Sequence, residues 1–214
     1  MTDLPTTTCR AIDARRLSLA RAVVARQYER RPDLAARYGE HGQTRCVQDV
    51  DYHLAHLSVA VATATPALFA NYLAWAQVVL AARNVRAEDV AESLDCLAEV
   101  LRAELPGGAG ALAADYVDQT RRALPEVPAD VPGPLDGDDP LSALARQYVQ
   151  ALLGGDRHAA GRLVLDALDG GVPVRDVYLG VFQRAQQEVG RLWQLNRLSV
   201  AQEHYCTAAT RALM

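Results

Sequence analysis

The sequence contains no lysine and no long apolar run, and its 214 residues include only two phenylalanines and two tryptophans. A membrane-spanning helix needs about 18 or more consecutive apolar residues, so none is expected. All 22 positive side chains are arginines, the net charge is -4, and no basic stripe runs along the chain. Because nucleic-acid surfaces carry such a stripe, we predict neither a membrane segment nor direct binding of nucleic acid.

Cysteine is also scarce, and its distribution argues against two kinds of structural site. The four cysteines, Cys9, Cys46, Cys96 and Cys206, are far apart and form no C-x-x-C pair. Neither a disulfide framework nor a zinc site is therefore expected. The N-terminus from Met1 to Arg16 lacks the apolar core of a secretory signal, and we expect a cytoplasmic protein.

The motifs of several common catalytic sites are absent. The sequence has no glycine-rich loop after a strand, no H-E-x-x-H and no G-x-S-x-G. Each of these motifs positions a phosphate, a metal ion or a nucleophile. We therefore expect that this chain is not an enzyme.

Apolar residues recur every three to four positions along most of the chain, and no stretch shows sustained alternation. This period is typical of amphipathic helices, so the predicted fold class is all-α. Helix ends follow from Pro, Gly, Asp and Thr signals, with Thr8 as the predicted cap of the first helix. The predicted helices span about 8–30, 32–39, 44–63, 66–80, 87–105, 111–124, 141–154, 157–170, 174–194 and 199–214.

The segment from Pro125 to Pro140 breaks this pattern. It holds five prolines, two glycines and five acidic residues, a composition that disfavours both helix and sheet. We predict an extended linker at 125–138, between a helical, globin-like domain at 1–124 and a second domain at 139–214. The four predicted helices of the second domain have short connections, which indicates an antiparallel four-helix bundle.

One stretch of the second domain combines an aromatic ring with a polar pair. Trp193 ends one predicted helix, Ser199 caps the next, and Glu203 and His204 follow near its start, so ring and polar pair meet at one loop. An indole offers a flat apolar surface, and a carboxylate accepts hydrogen bonds from hydroxyl groups. The alternative is that Trp193 anchors the core and that the polar pair is a solvated cap.

This pattern, a Trp followed after nine residues by Glu-His, with Val seven positions after the Trp, resembles the cap bundle of the cobalamin-dependent light-sensing repressors. It is more loosely similar to the cap of methionine synthase. The resemblance implies a bundle that covers the upper face of adenosylcobalamin. It implies contacts to the upper axial adenosyl group from Trp193, Val200, Glu203 and His204.

The sequence departs from that family in two respects. A Rossmann cobalamin domain normally follows the bundle, and its D-x-H-x-x-G motif supplies the lower axial histidine, but this sequence contains neither. We expect the domain in a missing C-terminal part or in another chain. Gln194 stands where the repressors carry a histidine that ligates cobalt after photolysis, so a bis-histidine photoproduct through this position is not expected.

Two predicted helices of the first domain carry carboxylate, imidazole and aromatic groups. Asp49, His53 and His56 share one helix face by their spacing, and Tyr52 lies on the same helix. Tyr72 and Trp75 are three residues apart on the next helix, with Arg83 two turns further along. A linear tetrapyrrole needs an aromatic cleft, cations for its propionates and a carboxylate or histidine near its nitrogens.

The segments Arg45–Leu57 and Pro66–Trp75 resemble the N-terminal region of photocobilins, receptors that pair cobalamin with biliverdin. The resemblance covers about residues 10–124. It implies a biliverdin site lined by Asp49, Tyr52, His53, His56, Tyr72 and Trp75. Alternatives remain: the histidines and aromatic residues can belong to the core or surface, either histidine can ligate haem, and Cys46 can carry a covalent bilin, although nothing in its context favours a thioether.

Together these patterns predict a homo-oligomeric light sensor that uses adenosylcobalamin and biliverdin and whose photolysis changes its quaternary structure. Two other functions remain open. The first is a corrinoid carrier whose bundle caps methylcobalamin for an enzyme. The second is a helical interaction module without a cofactor.

Overall fold

A computed structural model of the protein describes residues 3–124, 126 and 132–214, and every regular element in these ranges is helical. The all-α prediction is therefore confirmed. The chain folds into two compact units, Met1–Val127 and Pro128–Met214. No helix in the described ranges is long and apolar enough to cross a membrane.

The described part of the first unit contains six helices around an aliphatic core. They are α1 (Leu4–Arg30), α2 (Asp33–Tyr38), α3 (Gly42–Ala62), α4 (Pro66–Ala81), α5 (Ala87–Glu104) and α6 (Gly108–Ala123). The long helix α1 packs along α3 and α5, and α5 also packs on α6. Buried side chains from α1, α3, α4 and α5, including Leu19, Leu57, Phe69 and Leu97, fill the space between them.

The first helix begins earlier than the sequence indicated. The Asp3 carboxylate accepts a hydrogen bond from the Thr6 amide and caps the helix, while Pro5 lies in the first turn, where its missing N–H costs nothing. The prediction of Thr8 as the cap is wrong. Thr8 is buried inside α1, where its hydroxyl donates to the Leu4 carbonyl at 2.8 Å; threonine can form either bond, so its type alone did not distinguish the two positions.

A buried carboxylate connects three helices of the first unit. Asp89, at the start of α5, is 3% exposed and accepts two hydrogen bonds from Arg37, at 2.7 and 2.8 Å, and one from Tyr38. Its backbone carbonyl accepts from Gln27 of α1. Burial alone would raise the pKa of Asp89, but the bonds from Arg37 and Tyr38 hold it below its ordinary value. The paired charge therefore fixes α2 against α5, and the bond from Gln27 to the Asp89 carbonyl fixes α1.

The second unit is a helical bundle with one irregular member. It contains α7 (Pro140–Leu153), α8 (Arg157–Asp169) and α11 (Val200–Leu213), and a rod made of α9 (Val174–Asp176), a π-helical segment (Val177–Phe182) and α10 (Gln183–Gln194). The sequence predicted a regular helix along this rod. Within the π-helical segment, Gly180 packs so closely on α7 that an added Cβ would lie 2.7 Å from Leu141 Cδ1.

Part of the predicted linker packs on the second unit. Residues 125 and 127–131 lie outside the described residues, and an extended connection there stays a prediction. Leu135, however, is 7% exposed and belongs to the core of the bundle, and Arg146 of α7 donates to the Gly137 carbonyl at 2.8 Å. Burial of Leu135 removes apolar surface from water, and together with the Arg146 hydrogen bond it attaches this segment to the bundle.

Gly110 provides a test of the close approach between α5 and α6. An added Cβ at this position would lie 2.5 Å from the Leu101 carbonyl oxygen. Because backbone atoms must then shift, Gly110→Ala should lower the free energy of unfolding by about 1–3 kcal/mol in urea denaturation. Gly108→Ala is the matched control, since its Cβ meets only the Leu4 side chain, at 3.5 Å. Equal stability of both variants would contradict the predicted effect.

Candidate functional site

Helices α3 and α4 form an antiparallel hairpin that brings four of the predicted residues together. His53 Nδ1 lies 2.9 Å from the Tyr72 hydroxyl. The His56 ring stacks on the Tyr72 ring, with 3.6 Å between the centroids. Trp75 follows one turn along α4, with its ring 6.2 Å from that of Tyr72. Tyr72 is therefore the centre of an aromatic group, defined here as His53, His56, Tyr72 and Trp75.

The members of the aromatic group differ in exposure. His53 is only 4% exposed, whereas Trp75 is 44% exposed and His56 also reaches the surface. His53 consequently supports Tyr72 from beneath rather than lining an open face. Tyr52 is 61% exposed, and its carbonyl lies 2.9 Å from His56 Nδ1. Because a carbonyl only accepts, His56 carries a proton on Nδ1, and in the neutral ring its Nε2 is an acceptor.

Asp49 lies two helical turns before His56 on α3 and is half-buried. Burial raises the pKa of Asp49 to about 6, although the charges of Arg83 and Arg45 oppose the shift. Burial, assisted by the nearby Asp49 charge, also raises the pKa of Tyr72. The pKa of His53 falls to about 4, chiefly through burial and secondarily through His56. The negative charge of the Asp49 carboxylate is therefore only partly compensated by the two arginines.

The first unit also contains a cleft that the sequence did not reveal. It has a volume of about 480 Å³ and is lined by Arg37, Tyr38, Asn84, Val85 and Arg86, which is within the usual size range of ligand pockets. Asn84 ends the turn after α4 with φ 63°, a conformation that asparagine tolerates better than most residues. The sequence indicated only a turn here, through an asparagine followed by Val-Arg between two predicted helices. It did not indicate that Arg37 and Tyr38 line the same cleft.

Cys46 is a half-buried residue near the start of α3. Its Sγ lies 3.9 Å from the Tyr28 hydroxyl. Burial raises the pKa of the Cys46 thiol, the Tyr28 hydrogen bond lowers it, and the charges of Asp49 and Asp89 raise it further. The thiol is thus predominantly protonated at neutral pH, which makes an uncatalysed thioether bond slow to form.

The second group of predicted residues lies where α10 turns into α11. The amides of Asn196 and Arg197 donate to the carbonyls of Trp193 and Leu192, at 3.0 and 2.8 Å, and Asn196 has φ 57°. These bonds form a tight Schellman turn. Ser199 then caps α11 through reciprocal hydrogen bonds with Gln202, so the cap predicted at Ser199 is confirmed.

The turn exposes several groups next to each other in the chain. Trp193 is partly buried and packs on the core of the bundle, whereas Val200 is 56% exposed. One Glu203 oxygen lies 2.5 Å from His204 Nδ1, and the other lies 3.0 Å from the Thr207 hydroxyl. This end of the bundle therefore presents apolar surface together with a hydrogen-bonding carboxylate. Among the described residues, no group of three or more His, Cys, Asp or Glu side chains is placed to hold a metal ion.

Comparison with known protein families gives an independent view of both units. A family model described as phycobilisome protein matches residues 6–124, more than half of the chain. The chain belongs to the phycobilisome protein family. A second model, described as B12 binding domain, matches residues 144–214. No curated protein and no solved structure matches the chain. The two matches fit a protein that binds cobalamin and a bilin, with a globin-like helical region followed by a cap domain.

Replacement of Asp49 tests whether the buried carboxylate costs stability. Its folded-state pKa, about 6, lies above the ordinary value of 3.8, so the folded state binds this proton more tightly than the unfolded state. The ionised group therefore reduces stability above about pH 6, and the cost disappears as pH falls below about 4. Asp49→Asn should raise the free energy of unfolding by about 1–2 kcal/mol at pH 7, with most of the gain lost at pH 4.

Asp115→Asn is the control in the same unit, because Asp115 is exposed and should give no comparable gain. Chemical denaturation at both pH values measures the two variants. If Asp49→Asn is less stable than the unsubstituted chain at pH 7, the carboxylate is stabilising and the argument from burial is wrong.

Proposed function

We propose that the protein is a light sensor that binds adenosylcobalamin through its second unit and biliverdin through its first. The observation that carries this proposal is the presence of both family matches in one chain, at residues 6–124 and 144–214. Bilins absorb visible light, and alkylcobalamins supply a cobalt–carbon bond that light breaks. A single chain that recognises both groups is thus suited to respond to illumination.

In the second unit, the residues at the turn would cover and hold the upper axial group. Trp193 would provide a flat apolar lid, and the exposed Val200 would extend it. Glu203 would accept hydrogen bonds from the ribose hydroxyls of an adenosyl group, while His204 holds one carboxylate oxygen in place. A methyl group has no hydroxyl, so Glu203 favours the adenosyl form over the methyl form.

In the first unit, His56, Tyr72 and Trp75 would provide the stacking surface for the tetrapyrrole, with Tyr52 at its exposed side. His53 would support Tyr72 from beneath. The partly compensated charge of Asp49 supports this placement, because the pyrrole N–H groups of a bilin would donate to the carboxylate and lower its pKa again. Arg86 lines the cleft, and Arg83 acts on Asp49. Guanidinium groups are suited to bind the bilin propionates.

Breakage of the cobalt–carbon bond would remove the upper group from Trp193 and Glu203. We propose that the helices of the second unit then rearrange and change the quaternary structure of a homo-oligomer. A Rossmann-type cobalamin domain, in a further segment or in another chain, would hold the lower face. The protein would act in the cytoplasm as a sensor rather than as an enzyme.

The two tryptophans allow a reciprocal test of the two cofactor assignments. The full chain is titrated with adenosylcobalamin and with biliverdin, and absorption spectra are recorded before and after illumination. Trp193→Ala should weaken binding of adenosylcobalamin and alter its photolysis, because the lid is lost, and Trp75→Ala should instead affect biliverdin. Trp193→Phe retains a flat ring and should therefore preserve adenosylcobalamin binding.

Each result of this test has a definite meaning. Corrin bands that change on illumination, together with a red-absorbing bilin band, support the light sensor. Corrin bands that are stable in light favour a corrinoid carrier. A colourless protein after both titrations favours a helical interaction module without a cofactor. Unchanged ligand binding and photolysis in Trp193→Ala contradict the cap assignment.

The bilin site is tested further at His56. A hydrogen bond to a charged group contributes about 1.5–3 kcal/mol, so His56→Ala should weaken biliverdin binding roughly ten- to hundredfold if the bound propionate is paired with a protonated imidazole that donates from Nε2. His158→Ala is the matched control, because His158 is an exposed helical histidine of the second unit. If both variants bind biliverdin with equal affinity, His56 does not belong to the bilin site.

A further inference from the structure

A run of polar side chains leads from Glu203 into the core of the second unit. The Thr207 hydroxyl lies 3.0 Å from Glu203 Oε1 and 3.0 Å from Gln186 Oε1. The Gln186 amide nitrogen donates to the Thr210 hydroxyl oxygen at 2.8 Å, and the Tyr148 hydroxyl donates to the same atom at 3.0 Å. Tyr148 and Thr210 are buried. The run therefore connects α7, α10 and α11 to the carboxylate at the surface.

The protons of this run cannot satisfy all of these contacts at once. The Thr207 hydroxyl has one proton but two acceptors within reach, and Thr210 already accepts from two donors. A 180° turn of the Gln186 amide changes this. Thr210 then donates to the amide oxygen, the amide nitrogen donates to Thr207, and Thr207 donates to Glu203. Both orientations use the same heavy-atom positions, so they differ little in packing.

We propose that Thr207 and Gln186 are positioning residues for Glu203 and that the Gln186 amide is a two-state relay between this carboxylate and Tyr148. The inference rests on the proposed function, in which Glu203 holds the adenosyl group. A carboxylate without a ligand is the stronger acceptor for the Thr207 proton. It therefore favours the turned amide orientation, in which Gln186 donates to Thr207 and Thr207 donates to Glu203. A carboxylate already bonded to a ribose hydroxyl is a weaker acceptor, so Thr207 donates to Gln186 instead.

The relay gives the helices a means to respond to the upper ligand. Tyr148 belongs to α7, Gln186 to α10, and Thr207 and Thr210 to α11. The hydrogen bonds between α10 and α11 would therefore reverse direction when the ligand of Glu203 leaves, while Tyr148 of α7 donates to Thr210 in both states. Because both states keep the same heavy-atom positions, the response lies in the direction and strength of these hydrogen bonds rather than in the packing of the helices.

The coupling is tested without any cofactor, by 15N NMR of the Gln186 side-chain amide in the full chain. Glu203→Gln should shift this resonance, because the weaker acceptor changes the preferred partner of Thr207. In a Thr207→Val background, which keeps the shape but lacks the hydroxyl, the same change should have no effect. Thr207→Ser retains the hydroxyl, and in this background Glu203→Gln should again shift the Gln186 resonance. A shift that is absent, or is equal with and without the hydroxyl, overturns the relay.

The positioning role is tested by titration with adenosylcobalamin and methylcobalamin. Thr207→Val should weaken adenosylcobalamin binding about five- to tenfold and leave methylcobalamin binding unchanged, and Thr207→Ser should restore the affinity. Equal weakening of both cobalamins indicates a merely structural effect and overturns the positioning role, as does unchanged adenosylcobalamin binding. If the unsubstituted chain binds neither cobalamin, the proposed function fails, while the amide resonance still decides the relay.

Discussion

Both units depend on the requirement that a buried polar group finds a partner. In the first unit this requirement is met most completely at Asp89, whose carboxylate and carbonyl bind residues of α1 and α2. A buried carboxylate without these partners would cost several kcal/mol. The pairing consequently determines where α2 lies, and with it two of the residues that line the cleft.

Incomplete pairing distinguishes the candidate bilin site from the rest of the first unit. Asp89 and Asp49 are both shielded from water, but the pKa of Asp89 is lowered by hydrogen bonds, whereas that of Asp49 is raised by burial. The difference arises because Asp89 is bonded directly to a guanidinium, while Arg83 and Arg45 act on Asp49 through their charge. A ligand that donates hydrogen bonds to Asp49 would stabilise its ionised form. A strongly shifted pKa of this kind is a marker of a binding site.

The second unit meets the same requirement with the ion pair of Glu188 and Arg191 and with a network of neutral groups. Within this network, Tyr148 and Gln186 both donate to Thr210 and so connect three helices, at distances of 3.0 and 2.8 Å. Amides and hydroxyls can exchange donor and acceptor roles without moving their heavy atoms. A network of this kind is therefore better suited to change with a bound ligand than a fixed ion pair such as Arg37 with Asp89.

Sequence by itself determined the helical class, most helix ends, the Ser199 cap and the grouping of imidazole and aromatic residues on α3 and α4. These features depend on local spacing and capping, which a short window of sequence contains. Only the tertiary structure decided that His53 lies beneath Tyr72, that Leu135 joins the core of the bundle, and that Arg37 and Asn84 line one cleft. Each depends on contacts between residues that no local rule relates, since pairs such as Gln27 and Asp89 are 62 positions apart and meet only when α1 packs on α5.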